Sequence, residues 1–300
     1  MSNKLGEVEA RISSVHELES VVGAMRGIAA ARSQEARGRL DGIRACAAMI
    51  GSAIGDALML DDRPAHDGPA PSDGERHVVI VICSEQGFVG AFNEHMIAEA
   101  EHVPGTEPPD YFVIGGRGAA VAATRGFSVG WSAPMVAHAD EVAALGSRIT
   151  EVLYERLEKG LAKRVTLVHA VPQPSAGFDV ARTSLLPFDF TRFAAPARRV
   201  APLVTLPPYR LMATLAEEYV YAQLCEALML SFAAENEARM RAMIAARTHV
   251  RDTLDQLTDD FRRLRQEEIT AEIVELSAGD PGASAGQRKS SPRTDGEPPT

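Results

Sequence analysis

Three features that many functional classes require are scarce or missing in this chain of 300 residues. Aromatic residues make up only 5% of it, and no run of about 18 apolar residues predicts a membrane span. The three cysteines, Cys46, Cys83 and Cys225, are far apart, so they fit neither a disulfide framework nor a metal cluster. We therefore expect buried thiols in a reducing compartment. The N-terminus has no apolar stretch behind a basic start, so we expect no secretory signal.

Excess positive charge is also missing, since the formal net charge is −10. Binding to nucleic acid needs a basic surface that neutralises phosphates, and docking on anionic lipid needs one too. The composition therefore predicts no nucleic-acid partner. If the protein works at a membrane, another protein must hold it there, without insertion of this chain.

The motifs of common catalytic and cofactor sites are absent as well. There is no Gly-Lys-Ser/Thr phosphate loop, no six-residue dinucleotide fingerprint and no Gly-x-Ser-x-Gly elbow. The histidines include no pair at metal-ligand spacing on one helix face. The sequence thus predicts no catalytic residue, no cofactor and no metal.

Two glycine-rich turns keep one alternative open. Residues 84–90 and 115–118 each follow a buried strand and precede a helix, which is where α/β sheets bind phosphates. Tight turns explain these glycines without a ligand. A nucleotide- or phosphate-binding α/β enzyme stays as the alternative.

Both ends of the chain have the pattern of a long amphipathic helix. Residues 1–60 contain no proline, and residues 207–277 contain none after Pro207-Pro208, so either helix could extend for more than about 80 Å. Apolar residues recur at steps of three and four along one face of each helix, close to a heptad repeat. They are Leu5, Val8, Ile12, Val15, Leu18, Val22, Met25 and Ala29 in the first helix, and Met243, Val250, Leu254, Leu257, Phe261 and Leu264 in the second.

The middle of the chain has a different pattern. Residues 61–76 form a linker, and residues 77–206 alternate buried strands with amphipathic helices, which predicts an α/β domain with a mostly parallel sheet. We expect strands at 77–83, 111–114 and 164–171, and an extended segment at 179–190. The residues from 278 to 300 are Gly, Ser, Pro and charge, and predict a disordered tail.

Helix, α/β insert, helix is therefore the predicted order, because the insert reverses the chain between two apolar seams. Such seams most simply bury each other as a long antiparallel coiled coil. The pattern alone fits a mechanical part and a passive coiled-coil scaffold equally well.

Four segments resemble one family. Residues 234–243, AENEARMRAM, and 261–273, FRRLRQEEITAEI, resemble its Ser-Glu-x-x-Ala-Arg-Met-x-Ala-Met and Tyr-Asn-x-x-Arg-Gln-x-x-Ile-Thr-x-Glu segments. Residues 24–32, AMRGIAAAR, and 84–93, SEQGFVGAFN, resemble Ala-Met-Lys-Met-Val-Ala-Ala-Ala-Lys and Ser-Asp-Arg-Gly-Leu-Cys-Gly-Gly-Phe-Asn. The chain is thereby identified as similar to the gamma subunit of F-type ATP synthases.

The resemblance implies a role that is mechanical and not catalytic. The coiled coil would turn inside a ring of three α and three β subunits, while its foot rests on the epsilon subunit and the membrane-embedded c ring. Ion flow would drive ATP synthesis by rotation, or hydrolysis would drive the reverse. The protein would be peripheral, on the cytoplasmic face of the cell membrane.

Five residues match positions that the resemblance places in the coupling region. They are Met25, Arg26, Arg265, Gln266 and Thr270. Arg265 and Gln266 are expected to make polar contacts, because a guanidinium can donate paired hydrogen bonds to a carboxylate.

Some residues depart from the family pattern. His16 to Ser20 make the first helix less basic, and Gln86 stands where the family has arginine. We hypothesise a divergent gamma subunit of an alternative F-type ATPase, a class that could include sodium-moving enzymes. The ion is selected in the c ring, so this chain does not decide it.

Overall fold

The computed structural model describes residues 2–60, 76–105, 107–173, 177–193 and 203–278. Within those residues it has five α-helices and five strands: α1 (Ser2–Leu58), β1 (His77–Ile82), α2 (Phe92–Glu101), β2 (Asp110–Ile114), α3 (Gly116–Thr124), β3 (Val129–Ala133), α4 (Val142–Glu158), β4 (Arg164–Gln173), β5 (Gly177–Leu186) and α5 (Pro208–Ala278). The predicted linker and tail lie outside the described residues, apart from residues 76 and 278. No described helix is both long enough and apolar enough to cross a membrane.

The chain divides into two compact units. One contains Met1–Val21 and Thr248–Thr300, and the other contains Val22–Arg247. The first unit consists of the beginning of α1 and the last part of α5. The second contains the sheet, α2 to α4 and the rest of α1 and α5.

The second unit is built on one five-stranded sheet in the order β3-β2-β1-β4-β5. β1 pairs in parallel with β2 and β4, β2 pairs in parallel with β3, and only β5 is antiparallel, against β4. The central strand β1 is buried at every position, as expected for a β-branched run covered on both faces. The predicted fold class, a mostly parallel α/β sheet with two long terminal helices, is confirmed.

Each face of the sheet has its own apolar core. On one face Ile80 and Ile82 of β1 pack with Leu145 and Ile149 of α4 and with Leu228 of α5. On the other face, Val79 and Val81 pack with Phe92, Met96 and Ile97 of α2. The alternation of β1 side chains between the two cores follows from the period of two along a strand.

In the second unit α1 and α5 pack antiparallel. Ser33 hydrogen-bonds to Glu237 (3.1 Å), and Arg44, farther along α1, pairs with Glu226, earlier in α5 (2.8 Å). The buried residues of α1 in this region recur at steps of three, four and seven: Ala29, Ser33, Ala36, Leu40 and Ala47. This spacing is that of a coiled-coil seam.

In the first unit the seam differs from the prediction at one position. Leu18 was expected to face the partner helix, but its side chain is 50% exposed. Glu19 is half-buried instead and pairs with Arg251 of α5 at 3.1 Å. A heptad seam advances by either three or four residues at each step. The sequence pattern alone could therefore not decide between the neighbouring positions 18 and 19.

Two further features were not predicted. The strand β3 lies at the edge of the sheet and includes Gly130 and Ser132, with most of its residues exposed, so it lacks the apolar signal of a strand. Cys46 is exposed, which corrects the expectation of three buried thiols, whereas Cys83 and Cys225 are buried.

Candidate interface on the long helices

The five predicted coupling residues lie on the two long helices. Met25 is half-buried on α1 and Arg26 is exposed beside it, both within the second unit. Arg265, Gln266 and Thr270 are all exposed on α5, within the first unit. The structure therefore places each set on a helix surface and describes the two sets in separate units.

The exposed set on α5 is satisfied only in part by its own helix. The Thr270 hydroxyl donates to the carbonyl of Gln266 at 2.8 Å. Neighbouring Arg263 pairs with Asp260 (3.0 Å) and reaches Glu267 (3.6 Å). The Arg265 guanidinium has no hydrogen-bond or ion-pair partner within the described residues, so its donors are free for another molecule.

The end of α5 exposes apolar side chains. Residues 269–277 are exposed throughout. Four large aliphatic side chains are among them, exposed by 48% to 76%: Ile269, Ile273, Val274 and Leu276. Contiguous apolar surface of this kind marks an interaction site in a soluble protein.

A second polar cluster on α5 is buried, and sequence reasoning assigned it no role. Arg239 donates to the Glu235 carboxylate at 2.6 Å and to the Asn236 side-chain oxygen at 3.2 Å. It also donates to the main-chain carbonyls of Gln86 and Gly87, both at 3.3 Å. The guanidinium thus joins α5 to the loop after β1, and these two segments are two of the four that carry the family resemblance.

Burial determines the electrostatics of that pair. The side chains of Glu235 and Arg239 are each 6% exposed. Burial raises the pKa of the Glu235 carboxyl, and the Arg239 charge opposes that rise. The sequence feature that could have revealed this pair is the spacing Glu-x-x-x-Arg in an alanine-rich helix, because residues four apart on a helix are neighbours.

Glu237, on the opposite side of the same turn, joins α5 to α1. Its carboxylate accepts hydrogen bonds from Ser33 and Arg37, and Arg241 lies 3.9 Å away. The Glu237 side chain is 6% exposed while those of Arg37 and Arg241 are 56% and 40% exposed. One buried carboxylate therefore joins the two helices through the buried Ser33 and through Arg37, which reaches it from the surface.

A side chain of the protein itself occupies the space beside the two glycine-rich turns, which lie at the carboxyl ends of β1 and β2. Glu85 accepts hydrogen bonds from the Gly116 N–H at 2.8 Å and the Met135 N–H at 3.0 Å. Its carboxylate therefore occupies the N-terminus of α3, where a phosphate would bind. Gly115 has φ +100°, and a Cβ there would lie 2.6 Å from the Cys83 and Ser84 carbonyl oxygens, so glycine serves close packing.

A cavity of about 440 Å³ lies between α1, α4 and α5 in the second unit. It is lined mainly by apolar atoms, with Cys46 and Cys225 among its walls. No group of three or more His, Cys, Asp or Glu side chains suited to a metal ion occurs among the described residues.

Comparisons with known proteins cover nearly all of the chain. A family model described as ATP synthase matches residues 4–282. The ATP synthase gamma chain of Bdellovibrio bacteriovorus is 26% identical over 290 residues, covering 92% of this chain and 97% of that protein. The gamma chain of Frankia casuarinae is 29% identical over 299 residues, covering 93% and 97%.

Solved structures with the same fold come from mitochondrial ATP synthases. A chain of the Euglena gracilis enzyme, in a structure titled OSCP/F1/c-ring in rotational state 3, has a TM-score of 0.63 at 13% identity, covering 96% of this chain and 100% of that chain. A chain from the Tetrahymena thermophila central stalk and c-ring has a TM-score of 0.54 at 17% identity, covering 75% and 99%. At these identities the likeness concerns the fold alone.

Proposed function

Because the chain belongs to the gamma-chain family of ATP synthases, we propose that it is the rotor through which ion flow across a membrane is coupled to rotary ATP synthesis or hydrolysis. Its partners are the α and β subunits around the coiled coil, the epsilon subunit and the membrane c ring. It is peripheral, on the cytoplasmic face of the cell membrane. It carries no catalytic residue, because the chemistry belongs to the ring that it turns in.

The exposed end of α5 supports this role most directly. Ile273, Val274 and Leu276 would stay in water in an isolated protein, which costs free energy in proportion to the apolar area. A ring of subunits around the helix would remove this area from water. Residues 1–60 and 207–277 would form the coil, and residues 77–206 the α/β domain near the foot.

Rotation would act by shifting populations of β-subunit conformations. A shaft changes nucleotide affinity only if it contacts chemically identical β subunits differently. Met25 and Arg26 on α1, and Arg265, Gln266 and Thr270 on α5, would supply such unequal contacts. The free Arg265 guanidinium suits a carboxylate of the ring, with which it can form a paired hydrogen bond.

The alternatives receive less support. Glu85 fills the helix N-terminus that a phosphate would need, which disfavours a nucleotide-binding enzyme. A passive scaffold would leave the aliphatic end of α5 without a purpose. Service in an alternative F-type ATPase stays a hypothesis.

Co-expression tests the proposal. The chain, carrying a tag, would be produced with α and β subunits from the same genome and purified through the tag. We expect a complex that hydrolyses ATP and holds three α and three β subunits for each copy of this chain. Recovery of the chain alone, or as a stable homodimer without α or β, would contradict the rotor assignment.

A further inference from the structure

The cavity between α1, α4 and α5, which we name the interhelical cavity, has an apolar interior. Its volume of about 440 Å³ is within the range of small-molecule sites in proteins. The residues at its inner end are each no more than 7% exposed: Val142, Ala222, Cys225 and Met229. They carry no charge, and the Cys225 thiol is their only side-chain hydrogen-bond donor, which is a weak one. The interior therefore suits the apolar body of a ligand, which gains free energy by leaving water.

The outer rim of the interhelical cavity carries uncompensated negative charge. Asp140, just before α4, and Glu218 of α5 line the cavity and are exposed. Neither carboxylate has a hydrogen-bond or ion-pair partner within the described residues. Arg39 of α1 is the one cationic residue in the lining, and its guanidinium pairs with Glu35, one turn earlier on the same helix, at 3.1 Å. The charge that remains at the rim is therefore that of two carboxylates.

Two glycines of α1 leave the cavity open on one side. Gly38 and Gly42, four residues apart, both line it, and a Cβ at either position would meet no atom within 4 Å. Glycine inside a helix is less stable than alanine, because it loses more conformational freedom on folding. The space beside these two positions is therefore empty, although a larger side chain would fit there and would favour the helix.

We propose that the interhelical cavity binds a small organic cation with an apolar body, that is, a hydrophobic amine. The apolar body lies among Val142, Ala222 and Met229, and the ammonium group lies at the rim with Asp140 and Glu218. Two carboxylates repel an anion of the same size, and they attract a neutral molecule much less than a cation. The inference goes beyond the proposed function and does not depend on it, since all of these residues belong to this chain.

Three probes with the same naphthyl skeleton test the selection for positive charge. They are naphthylethylamine, naphthylethanol and naphthylacetate, and each is titrated calorimetrically into the full-length chain. At low salt we expect the amine to bind at least about fivefold more tightly than the alcohol, and the carboxylate to bind most weakly. Added salt should reduce the difference between amine and alcohol, because it screens exposed charges. Equal affinities for amine and alcohol, tighter binding of the carboxylate, or no binding of the amine would overturn the proposal.

Substitutions at the rim and in the wall test the location of the site. Asp140→Asn and Glu218→Gln should each weaken amine binding about threefold, and together about tenfold, while the affinity for the alcohol changes by less than about twofold. Glu217→Gln is the matched control, because Glu217 is exposed next to Glu218 but does not line the cavity. Gly42→Leu should abolish binding of amine and alcohol alike, and leucine favours the helix, so the fold is kept. Equal effects of Glu217→Gln and Glu218→Gln, or unchanged binding to Gly42→Leu, would overturn the site.

The Cys46 thiol gives a local readout of occupancy. Cys46 is exposed and lines the cavity, whereas Cys83 and Cys225 are buried. Naphthylethylamine should slow the alkylation of Cys46 by iodoacetamide, measured by mass spectrometry of the peptides, at the concentrations that saturate the calorimetric signal. Binding without protection of Cys46 would place the amine elsewhere and overturn the site. In the purified complex with α and β subunits, Cys46 should react rapidly when no amine is present. Slow reaction there would mean that another subunit covers the cavity, and would overturn a small-molecule site.

Discussion

Two polar regions of the same helix, α5, have opposite environments. Around Arg239 every donor is directed into the protein, to Glu235, Asn236 and the carbonyls of Gln86 and Gly87. Around Arg265 the side chains are exposed, and Arg265 itself has no partner within the described residues. The first region completes the fold, and the second is left for other molecules.

The two segments of α5 that carry the family resemblance therefore belong to the family pattern for different reasons. The segment at 234–243 belongs to the pattern because it connects α5 to the sheet and to α1. The hydrogen bonds and ion pairs of the segment at 261–273 stay within its own helix, so the fold gives little reason for its polar side chains. We therefore propose that these polar side chains contribute to the coupling contacts.

The largest expected effect comes from Arg239→Ala. It leaves the Glu235 carboxylate buried without its cation and should lower the free energy of unfolding by about 3–5 kcal/mol. Chemical denaturation of the isolated chain measures this loss. Arg263→Ala, which removes an exposed arginine with partners only on its own helix, should change the free energy of unfolding far less. Equal losses of unfolding free energy for the two variants would contradict the distinction between the buried region around Arg239 and the exposed region around Arg265.

Mild acid should weaken the sheet unit through His77. Burial, with help from Arg164, lowers the pKa of His77 to about 4, below its ordinary value of about 6.5. The unfolded chain therefore takes up a proton near pH 6.5 while the folded chain does not, so stability is lost as pH falls from about 6.5 to 4 and is constant above. The loss attributable to His77 should reach at most about 3 kcal/mol.

Denaturation curves across that pH range measure the effect. His77→Gln, which keeps a hydrogen-bonding group near Thr166, should flatten the dependence. His16→Gln, which removes an exposed imidazole from α1, is the matched control. A slope unchanged by His77→Gln would show that other groups cause the acid sensitivity.

A smaller loss is expected for Glu85→Ala. The Gly116 and Met135 N–H groups lose their acceptor, but water can reach part of the site, so the cost should be about 1–2 kcal/mol. Glu151→Ala on α4 is the control, because Glu151 is exposed and forms no hydrogen bond within the described residues. A cost for Glu85→Ala no larger than that of the control would contradict its role at the sheet edge.

The smallest effect on stability should come from Arg265→Ala. Its unfolding free energy should stay within about 0.5 kcal/mol of wild type, since no contact is lost. The assembled complex should nevertheless lose up to about tenfold in ATP-driven ion pumping, if the guanidinium makes a charged hydrogen bond to the ring. Unchanged ion pumping would show that Arg265 does not make the coupling contact.

Much of the fold could be predicted from the sequence because its signals are local. Two long heptad-like seams and three buried β-branched runs predict the helices and the parallel strands without knowledge of distant contacts. β3 escaped prediction because an exposed edge strand with Gly130 and Ser132 has no apolar signature. Leu18 was assigned to the seam because only three-dimensional packing distinguishes it from Glu19.

The site was less predictable for a related reason. The partners of Arg239 in the loop after β1 are 152 and 153 residues away, so no spacing in the sequence connects them. Glu85 looked like part of a possible phosphate loop, and only its contacts with Gly116 and Met135 show that it fills that place itself. The roles of Met25, Arg26, Arg265, Gln266 and Thr270 stay predictions, because they depend on molecules outside this chain.

Direct observation of rotation tests the rotor assignment most sharply. The α and β subunits are fixed to a surface, and a probe is attached to the α/β domain of this chain at Glu151→Cys in a Cys46→Ser background. We predict rotation of the probe in one direction that starts with ATP and stops when ATP is exhausted. ATP hydrolysis by a complex that contains this chain, without rotation of the probe, would contradict the account.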